Sequence, residues 1–495
     1  MNAGCYRQSL ALLTDLYQLT MAYGYWKLGV ARKEAVFHVT FRSNPFEGGY
    51  SVACGLADAV DYLANQRFQE DDLAYLATCK GNDGRALFEP AFFDYLRALR
   101  FECDVDAAPE GTVVFPNEPL LRIKGPILQC QILETPLLTI LNFQTLIATK
   151  AARICSATRG EPVLEFGLRR AQGIDGALAA SRAAYVGGCA ATSNVLAGKL
   201  FGIPVKGTHA HSWVMSFDDE LEAFDAYAAV MPNNCVFLVD TYDTLAGVHK
   251  AVEAAKRLRA RGHEMVGVRL DSGDLNYLSI EARKILDEGG FPKAAIVATN
   301  DLDERIIASL KEQGSKICVW GVGTKLVTAY DQPALGGVYK LSAVREPGGA
   351  WQYKVKLSEQ AVKTSTPGLL QVRRYREAQG YMADMIYNIE DTLTPAPTII
   401  DPMDLTRRKA IAAGTPFEEL LVPVFRVGKC VYEQPPLEQI RQRTHAQLSQ
   451  FHQGVRRFVN PHKYPVGLEK QLFDLKTRLI LEARGQPAET ERAPA

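Results

Sequence analysis

Several features are scarce or missing in this sequence, and each absence excludes a class of protein. Its 495 residues include 56 Lys and Arg and 56 Asp and Glu. The chain therefore has no excess of positive charge of the kind that would indicate a nucleic-acid or membrane-surface partner. No apolar run reaches the roughly 18 residues that a transmembrane helix needs. The N-terminus also lacks the basic segment and apolar run of a signal peptide. We therefore expect a cytoplasmic protein with no nucleic acid and no membrane among its partners.

Cysteine pairs with metal-binding spacing are also missing. The ten cysteines include no Cys-x-x-Cys pair, which argues against a zinc site. Several of them, such as Cys235 and Cys318, lie in apolar runs, as reduced and buried thiols do in a cytoplasmic protein. With 47% hydrophobic residues, a chain of this length can form a large core with appended domains.

The first part of the chain, residues 1–132, predicts an α+β domain. A helix should begin after Thr14 and Asp15, which are good capping residues, and alternating polarity over 35–42 predicts a strand. Prolines and glycines divide residues 101–128 into short strands.

Residues 133–340 show a different pattern, which predicts an α/β barrel-like catalytic domain. Helical stretches separate short apolar runs, and this alternation favours parallel βα units. Six such runs end in polar residues: 162–166, 204–208, 236–240, 265–271, 295–300 and 317–324. In an α/β barrel, ligand-binding residues lie at the C-terminal ends of the strands. We therefore expect a ligand site among the residues at these ends: Glu165, Arg169, Thr208, His211, Asp240, Arg269, Asp271, Asn300, Gly323 and Thr324.

The rest of the chain predicts a second α+β part. Residues 341–484 contain short strand patterns followed by helical patterns at 436–451 and 467–483, and we expect them to pack with the N-terminal domain. Residues 485–495 are charged and rich in Ala and Pro, which predicts a disordered tail.

One charged residue, Arg269, interrupts the apolar run at 265–270. Two carboxylates, Asp271 and Asp274, follow this run. A buried unpaired arginine is costly, so Arg269 needs a partner or a ligand. Asp271, Ser272 and Asp274 offer oxygens that bind hydroxyl groups or a cation close to that positive charge. This combination suits a ligand that contains both a sugar and an acid group.

Three further motifs are candidates for binding or catalysis. The glycines of 321–324 follow a strand and let backbone N–H groups approach a phosphate, although a plain turn is an alternative; Gly336 and Gly337 form a second pair. His209 and His211 lie close together without further metal ligands, and one of them could serve as a nucleophile or acid–base group, or be only structural. Arg169 suits a carboxylate or a surface ion pair.

These motifs together resemble the nicotinate phosphoribosyltransferase family. The resemblance rests on LTDLYQ (13–18), EFGLRRAQG (165–173), GT (207–208), AHS (210–212), VRLDSGDL (268–275), GT (323–324), LGGVYKL (335–341) and NPHKYP (460–465). It implies an irregular α/β barrel with an adjoining α+β domain built from both chain ends. It also implies a homodimer with shared active sites, and a ligase-class reaction that joins nicotinate to 5-phosphoribosyl 1-diphosphate with ATP as co-substrate and Mg²⁺ as cofactor. This reaction would be the first step of NAD salvage from nicotinate.

The resemblance also implies a role for individual residues. Nicotinate would be held by Tyr17 of the partner subunit together with Phe166, Arg169, Thr208 and Arg269. His211 would be the phosphorylated histidine, and Asp271 would hold the ribose or its magnesium, with Asp274 as a second magnesium ligand. The phosphoribosyl group would be bound by Gly323, Thr324, Gly336 and Gly337.

The choice of base rests on one position. Relatives that use nicotinamide place an acidic residue on the helix that here begins near residue 192. The corresponding position here is Ser193 or Asn194, and both residues are neutral. This favours nicotinate, because an acidic side chain at that position would repel the carboxylate of nicotinate.

Two other classes of protein fit parts of the pattern. Asp271 and Asp274 could be the carboxylate pair of a glycosidase, but the glycine–threonine motif would then have no function. A metabolite sensor that binds a phosphoribosyl ligand without catalysis is the other alternative. Tyr17, His211, Arg269 and Asp271 occurring together favour an enzyme.

Overall fold

The computed structural model describes residues 10–360 and 363–486, and these form two compact units. Unit 1 comprises Met1–Leu146 with Ala334–Ala495, as far as they are described, and unit 2 comprises Ile147–Pro333. The tail predicted at 485–495 lies outside the described residues from residue 487 onward.

The helices predicted after Asp15 and at 436–451 are present, as α1 (Leu16–Lys27) and α15 (Leu437–Gln450), and several helices begin at a side chain that caps the backbone. In chain order they are α1 Leu16–Lys27, α2 Leu56–Asn65, α3 Glu70–Thr78, α4 Pro90–Ala98, α5 Ile127–Ile132, α6 Glu134–Ala157, α7 Gly173–Val186, α8 Val195–Phe201, α9 His211–Met215, α10 Glu220–Val230, α11 Thr244–Ala260, α12 Leu275–Glu288, α13 Glu304–Glu312, α14 Thr324–Val327, α15 Leu437–Gln450 and α16 Lys470–Ala483.

The strands are mostly short. In chain order they are β1 Glu34–Thr40, β2 Ser51–Val52, β3 Asp104–Ala107, β4 Val113–Val114, β5 Leu121–Pro126, β6 Val163–Glu165, β7 Ala191–Thr192, β8 Val236–Leu238, β9 Gly267–Leu270, β10 Ala295–Ala298, β11 Val319–Val322, β12 Val338–Arg345, β13 Gln352–Tyr353, β14 Leu370–Glu377, β15 Gly380–Asn388, β16 Thr398–Ile400, β17 Arg408–Ala410, β18 Phe417–Glu419, β19 Val422–Arg426, β20 Lys429–Cys430 and β21 Val466–Glu469.

Unit 2 contains a parallel sheet with the strand order β7-β6-β11-β10-β9-β8. Its strands are buried apolar runs, as expected where helices cover both faces of a sheet. Because all of these strands run the same way, the residues that follow them gather at one edge. The structure therefore confirms a mixed α/β architecture and brings the predicted strand ends together.

The hydrogen-bonded ladder of the described strands does not close into a ring. The predicted strand at 204–208 forms only one isolated bridge, between Val205 and Thr192. On its other side, the side chain of His209 accepts a hydrogen bond from the backbone N–H of Leu238, with an N···N distance of 3.2 Å. A side chain thus stands where a closed barrel would have backbone pairing.

Helix caps fix the starts of the helices that follow the strands of this sheet. Asp243 accepts a hydrogen bond from Ala246 N, Asp274 from Asn276 N and Tyr277 N, and Asp303 from Arg305 N and Ile306 N. Each cap satisfies backbone donors that have no partner within the helix. These caps hold the loops at the C-terminal edge of the sheet.

Unit 1 contains a seven-stranded and a six-stranded sheet, both built mainly from antiparallel pairs, and a two-stranded sheet of β2 and β4. The seven-stranded sheet has the order β13-β12-β1-β5-β3-β19-β20 and the six-stranded sheet β17-β16-β21-β15-β14-β18. The six-stranded sheet shows where the sequence prediction was wrong, because the helix predicted from residue 467 begins at Lys470. Residues 466–469 are strand β21, which pairs with β15 and β16.

A buried ion pair lies within unit 1. Arg374 and Asp384, both fully buried, pair across β14 and β15, and Tyr464 donates a hydrogen bond to Asp384. Among the helices of the described residues, none is long and apolar enough to cross a bilayer.

Candidate active site

Arg269 lies near the C-terminal end of β9 and is partly buried. Its Nη1 donates to the Thr208 hydroxyl and, at 3.4 Å, to the backbone oxygen of His209. Burial lowers the pKa of Arg269, the carboxylates of Asp271 and Asp240 oppose this shift, and the positive charge of Arg169 adds to it. Its Nε is buried and has no hydrogen-bond partner among the described residues. A buried cationic donor without a partner is a site for an anionic group.

Asp240 follows β8 and connects two neighbouring loops. Its Oδ1 lies 3.1 Å from His211 Nε2, and its Oδ2 accepts hydrogen bonds from Ser272 Oγ at 2.6 Å and Asp271 N at 3.1 Å. The Asp240 side chain is 1% exposed, whereas that of His211 is 38% exposed. The carboxylate is therefore buried behind the histidine that meets solvent.

This contact assigns the tautomer of His211. A carboxylate accepts hydrogen bonds, so Nε2 carries the proton and Nδ1 of a neutral ring keeps its lone pair. An exposed imidazole with a free nitrogen, oriented by a buried carboxylate, is the arrangement of a nucleophile or a general base.

His209, two residues earlier, has a different environment. It is 7% exposed, and its ring packs edge-on against Tyr227 with the centroids 4.8 Å apart. Burial lowers its pKa to about 4, and the positive charge of Arg269 adds to this effect. His209 is therefore a neutral and buried ring that accepts a hydrogen bond from Leu238 N.

The two predicted carboxylates of the turn after β9 have different surroundings. Asp271 is half-buried and accepts a hydrogen bond from the Thr299 hydroxyl at the end of β10. Asp274 is exposed and caps α12 with its Oδ1. The described residues contain no group of three or more His, Cys, Asp or Glu that could hold a metal ion. The carboxylates still fit Mg²⁺, which proteins hold through one or two carboxylates together with substrate phosphates.

The loop after β6 is held by a buried carboxylate. Glu165 is fully buried and accepts hydrogen bonds from Gly167 N, from Ser181 Oγ at 2.9 Å and from Thr192 Oγ1 at 2.6 Å. These bonds fix the position of the half-buried Phe166, and Arg169 is exposed on the turn that follows.

The absence of a side chain at Gly321 leaves room for the ring of Phe166 beside β11. A Cβ atom at Gly321 would lie 2.9 Å from Phe166 Cδ2 and 2.6 Å from Thr299 Cγ2. Gly323 and Thr324 follow at the start of α14, and Lys325 pairs with Asp303 at 2.7 Å. This ion pair connects the loop predicted to bind phosphate with the loop that follows β10.

Ser193 and Asn194 follow β7. Asn194 is buried, its Oδ1 accepts a hydrogen bond from Ala197 N, and its Nδ2 donates to Ser181. Ser193 is half-buried, and its backbone N–H donates to Glu165 O. Because Asn194 is committed to capping α8, Ser193 is the side chain available at this strand end.

Three of the predicted binding residues belong to unit 1. Tyr17 lies on α1 and is 48% exposed. Gly336 has a φ of 74°, and a Cβ at Gly337 would lie 2.0 Å from Asn142 Oδ1. The close approach of Asn142 accounts for glycine at position 337.

Sequence reasoning named Glu165, Asp240 and Ser272 as candidate ligand-binding residues without predicting the contacts they make, and it missed Thr299. Asp240 and Glu165 were predicted as strand ends, but their partners lie on other strands and helices, so no local pattern reveals them. Thr299 directly precedes Asn300, which was predicted to lie at a strand end. This neighbouring position is the signal in the sequence that could have identified Thr299.

Sequence models of the nicotinate phosphoribosyltransferase family match most of the chain. The N-terminal domain of the family matches residues 12–142, the family itself matches 162–364, and its C-terminal domain matches 371–476. The fold and the basic, carboxylate-rich strand ends described above fit this class of transferase.

Curated relatives and solved structures agree with these matches. The nicotinate phosphoribosyltransferase of Bacillus subtilis (strain 168) is 43% identical over 485 residues, which are 97% of this chain and 96% of that protein. The enzyme of the same name from Homo sapiens is 37% identical and covers 94% of this chain and 96% of its own length. The chain belongs to the nicotinate phosphoribosyltransferase family.

The structural comparison supports the same assignment. The crystal structure of human nicotinic acid phosphoribosyltransferase has a TM-score of 0.81 and 35% identity, and covers 94% of this chain and 100% of that one. Nicotinate-nucleotide pyrophosphorylase from Pyrococcus furiosus has a TM-score of 0.67 over 90% of this chain and 97% of its own, at 24% identity. The second similarity shows a shared fold.

Proposed function

We propose that this protein joins nicotinate to 5-phosphoribosyl 1-diphosphate, giving nicotinate mononucleotide and diphosphate, with ATP hydrolysis coupled to the reaction. This would be the first step of NAD salvage from nicotinate. The names of its relatives support the reaction. The single observation that carries the proposal is the guanidinium of Arg269, whose buried Nε has no hydrogen-bond partner among the described residues and lies beside the Thr208 hydroxyl.

Nicotinate would bind with its carboxylate toward these donors. A guanidinium is suited to a carboxylate because its N–H groups form a planar fork. Arg269 and Thr208 would contact the base, and Arg169 would lie near its carboxylate. Phe166 would cover one face of the pyridine ring and the partner subunit's Tyr17 the other. The exposure of Tyr17 fits this role in a homodimer with shared active sites.

The phosphoribosyl group would lie along the neighbouring strand ends. Backbone N–H groups near Gly323 and Thr324 would bind the 5-phosphate, with Gly336 and Gly337 as further phosphoribosyl-binding positions. Positive charge develops on the ribose as diphosphate departs, and the Asp271 carboxylate would stabilise it. The bond from Thr299 holds Asp271 in a fixed orientation for this purpose.

Mg²⁺ would be held by Asp271, with Asp274 as a second and exposed carboxylate. When bound, it supplies positive charge that stabilises the departing diphosphate. The chain's own groups orient the base and stabilise the ribose.

ATP would act through His211. The Nδ1 lone pair attacks the γ-phosphorus, the bond from that phosphorus to the bridging oxygen breaks, and ADP leaves with the electron pair. The phosphoryl group adds negative charge that orders the phosphoribosyl site, and water later releases it as phosphate. The orientation of His211 by Asp240 supports this assignment.

Two further features complete the proposal. Ser193 leaves the base site without a carboxylate at the end of β7, which supports nicotinate over nicotinamide. The contact between His209 and Leu238 N supports an irregular barrel in unit 2, in which side chains take the place of part of the ladder. Unit 1 would be the α+β domain built from both chain ends.

The direct test is product analysis. The purified protein is incubated with nicotinate, 5-phosphoribosyl 1-diphosphate, ATP and Mg²⁺, and the products are identified by mass. We expect nicotinate mononucleotide and diphosphate in equal amounts. In a separate incubation with a test glycoside, hydrolysis of the glycoside together with no base transfer in the first reaction would support the glycosidase alternative. Ligand binding without any product would support the sensor.

A further inference from the structure

The Asp240 carboxylate contacts two parts of the proposed active site, one through each of its oxygens. Oδ1 lies 3.1 Å from His211 Nε2, and Oδ2 accepts hydrogen bonds from Ser272 Oγ at 2.6 Å and from Asp271 N at 3.1 Å. No other described contact connects the side chain of His211 to the turn that carries Asp271. Asp240 is therefore the direct link between the histidine and that turn.

The surroundings of Asp240 leave it little freedom. Its side chain is 1% exposed, and the backbone just before it is anchored, since Val239 N donates to Arg269 O at 3.3 Å. Hydrogen bonds to an ionised group are stronger than those between neutral groups. Because both oxygens belong to one planar carboxylate, a change in the hydrogen bond at one oxygen affects the hydrogen bonds at the other.

We propose that Asp240 and Ser272 are positioning residues that couple the state of His211 to the turn at Asp271 and Ser272. The proposal rests on the function proposed above. When Nδ1 of the neutral ring forms its bond to phosphorus, Nε2 keeps its proton and the ring gains positive charge. The bond from Nε2 to Asp240 Oδ1 strengthens, and Oδ2 then holds Ser272 and the Asp271 backbone in the conformation that binds 5-phosphoribosyl 1-diphosphate.

Ser272 provides the sharper test because its hydroxyl contacts only the far oxygen of the link. Ser272→Ala removes the hydrogen bond to Asp240 Oδ2 and leaves the contact between Asp240 and His211 in place. We expect full transfer of a labelled γ-phosphate from ATP to the protein. The ATP-dependent lowering of the KM for 5-phosphoribosyl 1-diphosphate should fall about tenfold, the effect of losing one hydrogen bond to a charged group.

Two further variants separate this effect from a general disturbance. Asp240→Asn alters both contacts, so it should slow phosphorylation and also weaken the coupling. Ser309→Ala, on the exposed face of α13, serves as the matched control and should retain both phosphorylation and coupling. Circular dichroism and thermal unfolding of each variant show whether it is folded.

The outcomes distinguish this inference from the function on which it rests. Loss of coupling in Ser272→Ala with phosphorylation retained supports the inference. Coupling equal to that of the wild type in folded Ser272→Ala overturns it and leaves the proposed function intact. A wild-type protein that transfers nicotinate but is neither phosphorylated nor stimulated by ATP overturns both the inference and the ATP-coupled step.

Discussion

Arg269 Nη1 donates a hydrogen bond to the Thr208 hydroxyl, which joins the end of β9 to the segment that precedes His211. This contact holds the guanidinium in place while its Nε stays buried without a partner. The Thr208 hydroxyl itself donates to the backbone oxygen of His209 at 3.1 Å, so the remaining donor capacity is that of the guanidinium, which suits a carboxylate.

Replacing Arg269 tests the proposed contact with nicotinate. Arg269→Lys keeps the charge but removes the planar fork, so the KM for nicotinate should rise about 10- to 100-fold, corresponding to roughly 1.5–3 kcal/mol for hydrogen bonds to a charged group. Steady-state kinetics with nicotinate as the varied substrate measure the change. Arg257→Lys, an exposed position on α11, is the control. An unchanged KM in Arg269→Lys would remove Arg269 from the base site.

Ser193 is expected to set the choice of base. Ser193→Asp places a carboxylate at the end of β7, where it would repel nicotinate and accept a hydrogen bond from the amide of nicotinamide. The ratio of kcat/KM for nicotinate to that for nicotinamide should fall at least tenfold, because an unfavourable charge contact costs more than about 1.4 kcal/mol in a partly buried site. Competition between the two bases in one reaction measures this ratio. Ser216→Asp, at an exposed site after α9, should leave it unchanged.

Complementation between variants tests the shared active site. Tyr17→Ala and Arg269→Met should each lose most of their activity. If the partner subunit's Tyr17 completes the site, a refolded equal mixture should recover about a quarter of wild-type activity, because half of the dimers are mixed and each has one intact site. Activity of the mixture no higher than that of the separate variants would place Tyr17 and Arg269 in the same subunit's site or exclude sharing.

The buried His209 should make stability depend on pH. Its pKa in the folded protein is about 4, below the ordinary value of about 6.5 in the unfolded chain. Between these values the unfolded state binds more protons, so the free energy of unfolding should fall as the pH drops from about 6.5 toward 4, by up to about 3 kcal/mol. Urea unfolding at a series of pH values measures this slope.

A substitution assigns that slope to the residue. His209→Gln cannot take up a proton and keeps an acceptor for Leu238 N, so its slope should be smaller over the same range. His249→Gln, on the exposed face of α11, should behave as the wild type does. Equal slopes for His209→Gln and the wild type would contradict the assignment.

Five of the six predicted runs of unit 2 contain a strand, because apolar runs that stop at polar residues are a local pattern, whereas the run at 204–208 forms only an isolated bridge and β7 was not predicted. Arg269, Asp271, Thr208 and His211 were predicted at strand ends, and hydrogen bonds of Arg269 with Thr208 and of Asp240 with His211 and Asp271 connect them at one edge of the sheet. The family and its mixed α/β fold were likewise confirmed, since the matching motifs extend over most of the chain.

Tertiary contacts could not be predicted in the same way. Asp240 contacts His211 and Ser272 from 29 and 32 residues away, and no spacing rule indicates such a bridge. The strand order of the sheet and the contact of His209 with Leu238 N also depend on packing between distant segments. The strand at 466–469 was missed for a related reason, because its pairing with β15 and β16 overrides a helical pattern.

In the proposed function, nicotinate transfer is coupled to ATP through His211. The most direct test is the rate of nicotinate mononucleotide formation with and without ATP, measured for the wild type, for His211→Asn and for the control His249→Asn. We expect ATP to stimulate the wild type and the control, and to leave His211→Asn unstimulated and without a phosphoryl label. Stimulation of His211→Asn equal to that of the wild type would contradict the account.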